Sequence, residues 1–163
     1  MKPVSLVITF HSENLLAHNT LLSVRRMIDF ASRLAIEIEL IIILDSPTFE
    51  TNRVVHNFCN SYALGTCYTV KFSDVSKARN FGISVATGEY VAICDGDDYY
   101  SENWLVASYT FLQNLPVGMR DKLILHPEYV VNFGQEWSYA RQIDTQDNRL
   151  REGLFEDNWW CAW

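Results

Sequence analysis

Short apolar runs alternate with longer stretches of helical periodicity along most of the chain. The runs are rich in β-branched residues and predict strands at Val4–Phe10, Glu37–Leu44, Cys67–Phe72 and Tyr90–Cys94. Between and after them, apolar residues recur at helical spacing over Leu15–Leu34, Phe49–Tyr62, Val75–Ala86 and Glu102–Leu115. The order βαβαβαβα predicts an α/β fold with a mostly parallel sheet flanked by helices.

Details of the pattern sharpen this fold. Ile41–Leu44 has no polar alternation, so both faces of that strand are expected to be covered. Asp74 or Ser73 is expected to cap the third helix, and Ser101 the fourth. Leu123–Val131 is a further candidate strand.

Composition and charge narrow the class of partner. A length of 163 residues predicts about one domain, and 48 % hydrophobic with 20 % charged residues is typical of a globular protein. The net charge of −7 argues against nucleic-acid binding, which needs basic patches. It still allows one phosphorylated ligand held by a metal and a few cations.

The spacing of the cysteines and the length of the apolar runs indicate the cellular location of the protein. None of the four cysteines forms a C-x-x-C pair, which favours a reduced, intracellular setting. A zinc site of His56, Cys59 and Cys67 has irregular spacing and no evident fourth ligand. No run approaches the roughly 20 apolar residues of a membrane span. We therefore expect a cytoplasmic protein, with peripheral attachment to the inner face of a membrane left open.

An acidic cluster directly follows the fourth strand. Asp95, Asp97 and Asp98 fall within four positions, at the strand end where open α/β sheets bind ligands. Two carboxylates about 4 Å apart repel by roughly 4 kcal/mol at an effective dielectric of 20. Hard oxygen ligands here suit Mg²⁺ or Mn²⁺ bridging substrate phosphates, and Gly96 allows close approach of the backbone. An acidic turn before a helix is the structural alternative.

The helix before that strand carries cations and small residues. Lys77 and Arg79 could reach a diphosphate or a ribose, while Ala78, Gly82 and Ala86 form a thin face. Because glycine inside a helix costs about 1 kcal/mol relative to alanine, Gly82 is expected to serve close packing. An ordinary surface helix with a small-residue seam is the alternative.

These segments together resemble family-2 glycosyltransferases of the GT-A fold. The resemblance rests on four motifs in the family's order and spacing, and it extends from Val4 to about Leu115. The motifs are Ala78-Arg79-Asn80-Phe81-Gly82-Ile83, Ala86-Thr87-Gly88-Glu89-Tyr90-Val91, Asp95-Gly96-Asp97-Asp98 and Trp104-Leu105. It implies a GT-A-type, Rossmann-like sheet and transfer of a sugar from a nucleotide-diphosphate donor to a glycan, lipid or other hydroxyl acceptor.

The resemblance also assigns roles to individual residues. It implies nucleotide contacts for Thr9, Phe10, His11, Asp45, Arg79, Asp95 and Gly96. Asp45 would hydrogen-bond the nucleobase, although Leu44 replaces the family's first acid and Ser46-Pro47 its usual Gly-Ser. Asp97 and Asp95 would handle a divalent cation, Mg²⁺ or Mn²⁺, which neutralises the leaving group.

The catalytic base of an inverting transferase is not apparent in the chain. Glu156-Asp157 could be proposed, but three tryptophans in the last five residues indicate packing against absent structure. We therefore expect residues 1–115 to form the nucleotide-sugar-binding part and 116–163 to begin a truncated acceptor-side part. The base would then lie beyond Trp163.

Two other functions stay open. A sugar-phosphate nucleotidyltransferase-like enzyme would usually carry a glycine-rich basic loop after the first strand, where this chain has Phe10-His11-Ser12-Glu13-Asn14. A non-catalytic module could retain the nucleotide site without the base. A dehydrogenase is disfavoured because no G-x-G-x-x-G motif follows a strand.

Overall fold

A computed structural model of the protein describes residues 3–120, 123–126, 129–133 and 138–142. The chain order within these residues is a βαβαβαβα series followed by a short helix and two strands. The strands are β1 (Val4–Phe10), β2 (Ile38–Asp45), β3 (Thr66–Val70), β4 (Tyr90–Asp95), β5 (Tyr129–Phe133) and β6 (Ser138–Gln142). The helices are α1 (Leu16–Arg33), α2 (Phe49–Tyr62), α3 (Val75–Val85), α4 (Trp104–Gln113) and α5 (Val117–Arg120).

The first four strands form one parallel sheet, which confirms the predicted α/β class. The strand order is β3-β2-β1-β4. In register, Val4 pairs with both Ile38 and Tyr90, so β1 lies between β2 and β4. The carboxyl ends of all four strands therefore meet at one edge of the sheet.

The core covers both faces of the central strands, as the unbroken apolar runs predict. On one face, Leu6, Ile8 and Phe10 pack with buried residues of α1, α2 and α4. On the other, Val7 and Ile43 pack against Ala78 of α3. At roughly 1.5–3 kcal/mol per buried aliphatic side chain, this two-sided burial stabilises the sheet that positions the strand ends.

The thin face predicted for α3 is where that helix meets β1. A Cβ atom built on Gly82 would collide with the side chain of Val7 and lie 3.3 Å from Ile43 Cγ1. Gly82 therefore sets how closely α3 approaches the sheet. Since Arg79 lies on the same helix, this approach also sets the depth of Arg79 at the strand ends.

Several predicted boundaries are wrong by a few residues. Strand β3 ends at Val70 rather than Phe72. Asn103, not Ser101, is the N-terminal flanking residue of α4, and it makes no side-chain capping bond. Asp74 caps α3 by accepting from the backbone N–H of Lys77, as one of the two predicted alternatives.

The segment after α5 differs more from the prediction. Residues 123–126 have no regular structure, and the strand predicted over Leu123–Val131 begins at Tyr129. Strand β5 pairs antiparallel with β6, a strand that was not predicted from the sequence. The Glu156-Asp157 pair and the tryptophans at 159, 160 and 163 lie outside the described residues.

Among the described residues, every helix is too short or too polar to cross a bilayer.

Candidate functional site

The carboxyl ends of β1, β2 and β4 surround an open cavity of about 350 Å³. Its walls come from the turn after β1, the end of β2, the start of α3 and the turn after β4. All the residues predicted from the sequence to bind nucleotide or metal line it, namely Thr9, Phe10, His11, Asp45, Arg79, Asp95, Gly96 and Asp97. The fold thus gathers into one cavity residues that are up to 88 positions apart, from Thr9 to Asp97.

A buried ion pair forms one wall. The Arg79 guanidinium donates from Nη2 to Asp95 Oδ1 at 2.5 Å, and the arginine side chain is only 9 % exposed. Burial, followed by the charge of Asp97, raises the pKa of Asp95 and outweighs the lowering effect of Arg79. Removing either partner would leave the other charge desolvated, so the pair is a rigid feature of the cavity.

Asp45 holds a second wall in place. Its Oδ1 accepts the backbone N–H groups of Phe72 at 2.7 Å and Ser73 at 2.9 Å, and its Oδ2 accepts that of Asp74 at 3.0 Å. Burial would raise the pKa of Asp45, but these three bonds together outweigh it and the pKa lies below its ordinary value. The carboxylate therefore ties the β3–α3 loop to the end of β2.

These bonds also explain why β3 is shorter than predicted. The backbone of Phe72 turns towards Asp45 instead of continuing the strand, and Ser73 adopts a left-handed conformation with φ 49°. Ser73, Asp74 and Val75 then line the cavity.

The turn after β1 contributes His11 and Glu13. His11 Nδ1 lies 2.6 Å from the carbonyl oxygen of Asp45, and Glu13 Oε2 accepts the backbone N–H of His11 at 2.6 Å. Because that carbonyl can only accept, Nδ1 carries the proton of this hydrogen bond. Burial, assisted by the charge of Asp97, raises the pKa of Glu13 despite the opposing backbone hydrogen bonds.

The turn after β4 packs tightly on the end of β1. A Cβ atom on Gly96 would collide with the ring of Phe10 and lie 2.6 Å from the carbonyl oxygen of Thr9. Only glycine fits this approach, which places Asp95 and Asp97 on either side of it at the cavity.

Tyr100 holds the same turn in place through hydrogen bonds of its hydroxyl group. Its hydroxyl accepts the backbone N–H of Asp95 at 2.7 Å and donates to the Asp95 carbonyl at 3.2 Å or to Asp98 Oδ2 at 3.5 Å. Its own backbone N–H donates to Ser23 Oγ in α1 at 3.1 Å.

The acidic turn offers oxygen ligands for a hard divalent cation. Desolvation, followed by the charges of Asp95 and Asp97, raises the pKa of Asp98 to about 6. In the described part of the chain, no group of three His, Cys, Asp or Glu side chains is arranged to bind a metal by itself. Carboxylate oxygens are the ligands with which a protein holds a hard cation that takes its other ligands from substrate phosphates and water.

The sequence reasoning missed part of the cavity. Glu13 and the start of α3, including Asp74 and Ala78, also line it. For Glu13 the available signal was its position three residues after the end of β1. The zinc alternative receives no support, because in the described residues His56, Cys59 and Cys67 do not form a group that could hold a metal ion.

Comparison with known proteins identifies the family. The sequence profile described as "Glycosyl transferase family 2" matches residues 5–152. The chain belongs to this family. The match continues beyond Leu115, where the motif resemblance ends.

Curated relatives are longer than this chain. It is 31 % identical over 74 residues to the uncharacterized proteins Rv1520 of Mycobacterium tuberculosis and Mb1547 of Mycobacterium bovis. The alignment covers 44 % of this chain and 21 % of each relative. The chain thus spans about a fifth of the length of these relatives.

Solved structures share the fold. Staphylococcus aureus TarS, residues 1–349, superposes with a TM-score of 0.57 at 23 % identity over 68 % of this chain and 32 % of that one. TarS in complex with UDP-GlcNAc gives a TM-score of 0.58, again at 23 % identity, over 68 % of this chain and 31 % of that one. This likeness confirms the GT-A-type fold predicted from the sequence.

Proposed function

We propose that this chain binds a nucleotide-diphosphate sugar and forms the donor side of a glycosyltransferase that transfers the sugar to a hydroxyl acceptor. The observation that carries the proposal is the gathering of Arg79, Asp95 and Asp97 with the ends of β1 and β2 in one cavity. Membership of glycosyl transferase family 2 supports it, and so does the fold shared with TarS, whose solved complexes include UDP-GlcNAc and UDP.

The nucleobase end of the donor is assigned to the β1 and β2 side of the cavity. Thr9, Phe10 and His11 line this side. A carboxylate has about four acceptor positions, and Oδ2 of Asp45 uses one of them on the backbone N–H of Asp74. The second position of Oδ2 is proposed to accept an N–H group of the base, while Oδ1 keeps the β3–α3 loop in place.

The diphosphate end is assigned to the β4 side. The Arg79 guanidinium is held by Asp95, and this pair would contact the ribose and the diphosphate together with the backbone at Gly96. Asp97, with Asp95 beside it, would hold Mg²⁺ or Mn²⁺. When bound, the cation supplies charge neutralisation for the departing nucleoside diphosphate.

The acceptor, a glycan, lipid or other hydroxyl compound, is assigned to the part of the protein beyond the sheet. An inverting reaction needs a carboxylate to take the proton of the acceptor hydroxyl. We assign that base to residues outside the described part of the chain. The cytoplasmic location, the peripheral membrane association and the boundary between residues 115 and 116 stay predictions.

Calorimetric titration of the chain with UDP, GDP and CDP tests the proposal. Each nucleotide is titrated once with Mn²⁺ and once with a chelator. Binding of at least one nucleotide that strengthens with Mn²⁺ is expected. Absence of binding for all three under both conditions would refute it. Turnover of a nucleotide sugar would then distinguish a transferase from a binding module.

A further inference from the structure

Two cysteines, one in α2 and one in the edge strand β3, face each other outside the proposed donor cavity. Cys59 lies in the last turn of α2, and Cys67 is the second residue of β3. Their sulfur atoms are 3.2 Å apart, and both thiols are free and half-buried. This separation is within about an ångström of a disulfide bond length of roughly 2.05 Å. Only a small side-chain movement separates the pair from a bond.

The backbone holds both cysteines in this arrangement. The carbonyl oxygen of Cys59 accepts the N–H groups of Ala63 and Leu64, which closes the end of α2. Ala63 and Gly65 both take left-handed conformations, with φ of 49° and 82°, so the connection to β3 is tight. Cys67 is paired with Ile42 in the sheet. The juxtaposition therefore follows from a helix end, a turn and a strand ladder rather than from one rotamer.

Strand β3 is the element that would gain from a covalent bond. It is five residues long, lies at one edge of the sheet and is only partly buried along its length. Short edge strands with few buried contacts open locally at low free-energy cost. We propose that Cys59 and Cys67 are a redox modification site, at which a reversible disulfide staples β3 to the end of α2.

The two thiols differ in a way that suits this chemistry. The sulfur atoms of Cys59 and Cys67 lie within hydrogen-bond distance, and this contact lowers the pKa of the Cys67 thiol while it raises that of Cys59. Cys67 is thus the favoured thiolate and Cys59 the partner that resolves the first product.

A peroxide can oxidise the two thiols to a disulfide in two steps. The Cys67 thiolate attacks one peroxide oxygen, the O–O bond breaks, and Cys67 becomes a sulfenic acid while hydroxide leaves and takes up a proton. The sulfur of Cys59 then attacks the sulfenic sulfur, and the S–O bond breaks with release of water. Two thiols lose two electrons and two hydrogens, and one peroxide is reduced to two waters. Thiol reductants reverse the bond by exchange.

The site is separated from the donor cavity along β3. Cys67 lies at the start of the strand, with Cys59 of α2 beside it, whereas Ser73 and Asp74 line the cavity after the end of the strand. The disulfide is therefore expected to raise stability and to leave nucleotide affinity unchanged.

Mass spectrometry and thermal unfolding of the folded chain test this proposal. The chain carries Cys161→Ser, so that the terminal cysteine does not contribute, and it is treated with hydrogen peroxide. Trypsin cleaves after Arg53 and Lys71 and leaves both cysteines on one peptide, residues 54–71. That peptide is expected to become lighter by two hydrogen atoms, while buried Cys94 stays a free thiol. Closing a loop of about nine residues is expected to raise Tm by roughly 5–10 °C.

Controls separate the staple from other oxidation. Cys59→Ser and Cys67→Ser are each expected to lose both the mass change and the Tm increase, and dithiothreitol is expected to reverse both in the parent chain. Sulfinic acid on Cys67 without a disulfide would overturn the proposal. So would a disulfide that leaves Tm unchanged or lowers it. Equal UDP affinities of the reduced and oxidised chains would support a disulfide that only links β3 to the end of α2. A difference above fivefold would contradict this proposal.

Discussion

The hydroxyl group of Tyr100 is expected to set the position of the acidic turn, and Tyr100→Phe removes that group alone. Tyr100 is 6 % exposed and its ring packs against Trp104, so phenylalanine keeps the packing. The change removes the acceptor of the Asp95 N–H bond, which is 2.7 Å long, and the bonds that the hydroxyl donates towards Asp95 and Asp98.

The magnitude follows from these contacts. A buried donor that loses its partner costs about 1–3 kcal/mol, which for a chain of this size lowers Tm by roughly 3–10 °C. Because the freed turn carries Asp97, we also expect Mn²⁺-dependent affinity for a nucleoside diphosphate to fall by about tenfold, or about 1.4 kcal/mol. The affinity for the same nucleotide, measured with a chelator instead of Mn²⁺, should fall by a smaller factor.

The neighbouring tyrosine provides a matched control. Tyr99 is 55 % exposed, and its hydroxyl accepts from Arg26 Nη1 at the surface. Tyr99→Phe is expected to change neither Tm nor Mn²⁺-dependent affinity measurably. Thermal unfolding measures the Tm of both variants, and calorimetric titration measures their Mn²⁺-dependent affinity for the nucleotide. If Tyr100→Phe loses stability but binds the nucleotide with Mn²⁺ as tightly as the wild type, the hydroxyl does not position the turn.

The remaining predictions concern Asp45 and the packing of α3 against the sheet. Asp45→Asn loses the charge that accepts the loop N–H groups, and urea unfolding should show a loss of about 2 kcal/mol. Because the pKa of Asp45 is lower in the folded protein than its unfolded value of 3.8, the ionised carboxylate stabilises the fold above that value, and this stabilisation is lost as pH falls through the folded pKa. The free energy of unfolding of Asp45→Asn should therefore decrease less steeply with falling pH than that of the wild type. The same pH dependence in both proteins would contradict the role of Asp45 in holding the β3–α3 loop. Gly82→Ala should destabilise by about 1–3 kcal/mol because of the collision with Val7, whereas Gly118→Ala, with open space around it, should be neutral or stabilising by up to about 1 kcal/mol.

Much of the fold follows from local signals in the sequence. The uninterrupted apolar residues of β1 and β2 specify strands covered on both faces, and the helical spacing between them specifies crossovers. The rule that parallel sheets bind ligands at their carboxyl ends then predicts that Asp45, at the end of β2, lies near Asp95 and Asp97, at and just after the end of β4. The structure confirms this proximity in one cavity.

Other features depend on contacts that no local pattern encodes. The end of β3 is set by Asp45, which lies 27 residues before Phe72 and captures its backbone N–H. The anchoring of the acidic turn depends on Tyr100, which reads in the sequence as one aromatic residue among several. The proximity of Cys59 and Cys67 depends on the left-handed turn between α2 and β3, which brings two irregularly spaced cysteines together.

The dependence of Mn²⁺ binding on nucleotide tests the central claim most directly. The electron paramagnetic resonance signal of free Mn²⁺ is followed as the chain is added, with and without saturating nucleoside diphosphate. We predict that the cation binds only when the nucleotide is present, that Asp97→Ala abolishes this binding, and that Asp29→Ala, on the exposed side of α1, preserves it. Equal Mn²⁺ binding with and without nucleotide, or unchanged binding by Asp97→Ala, would contradict the account.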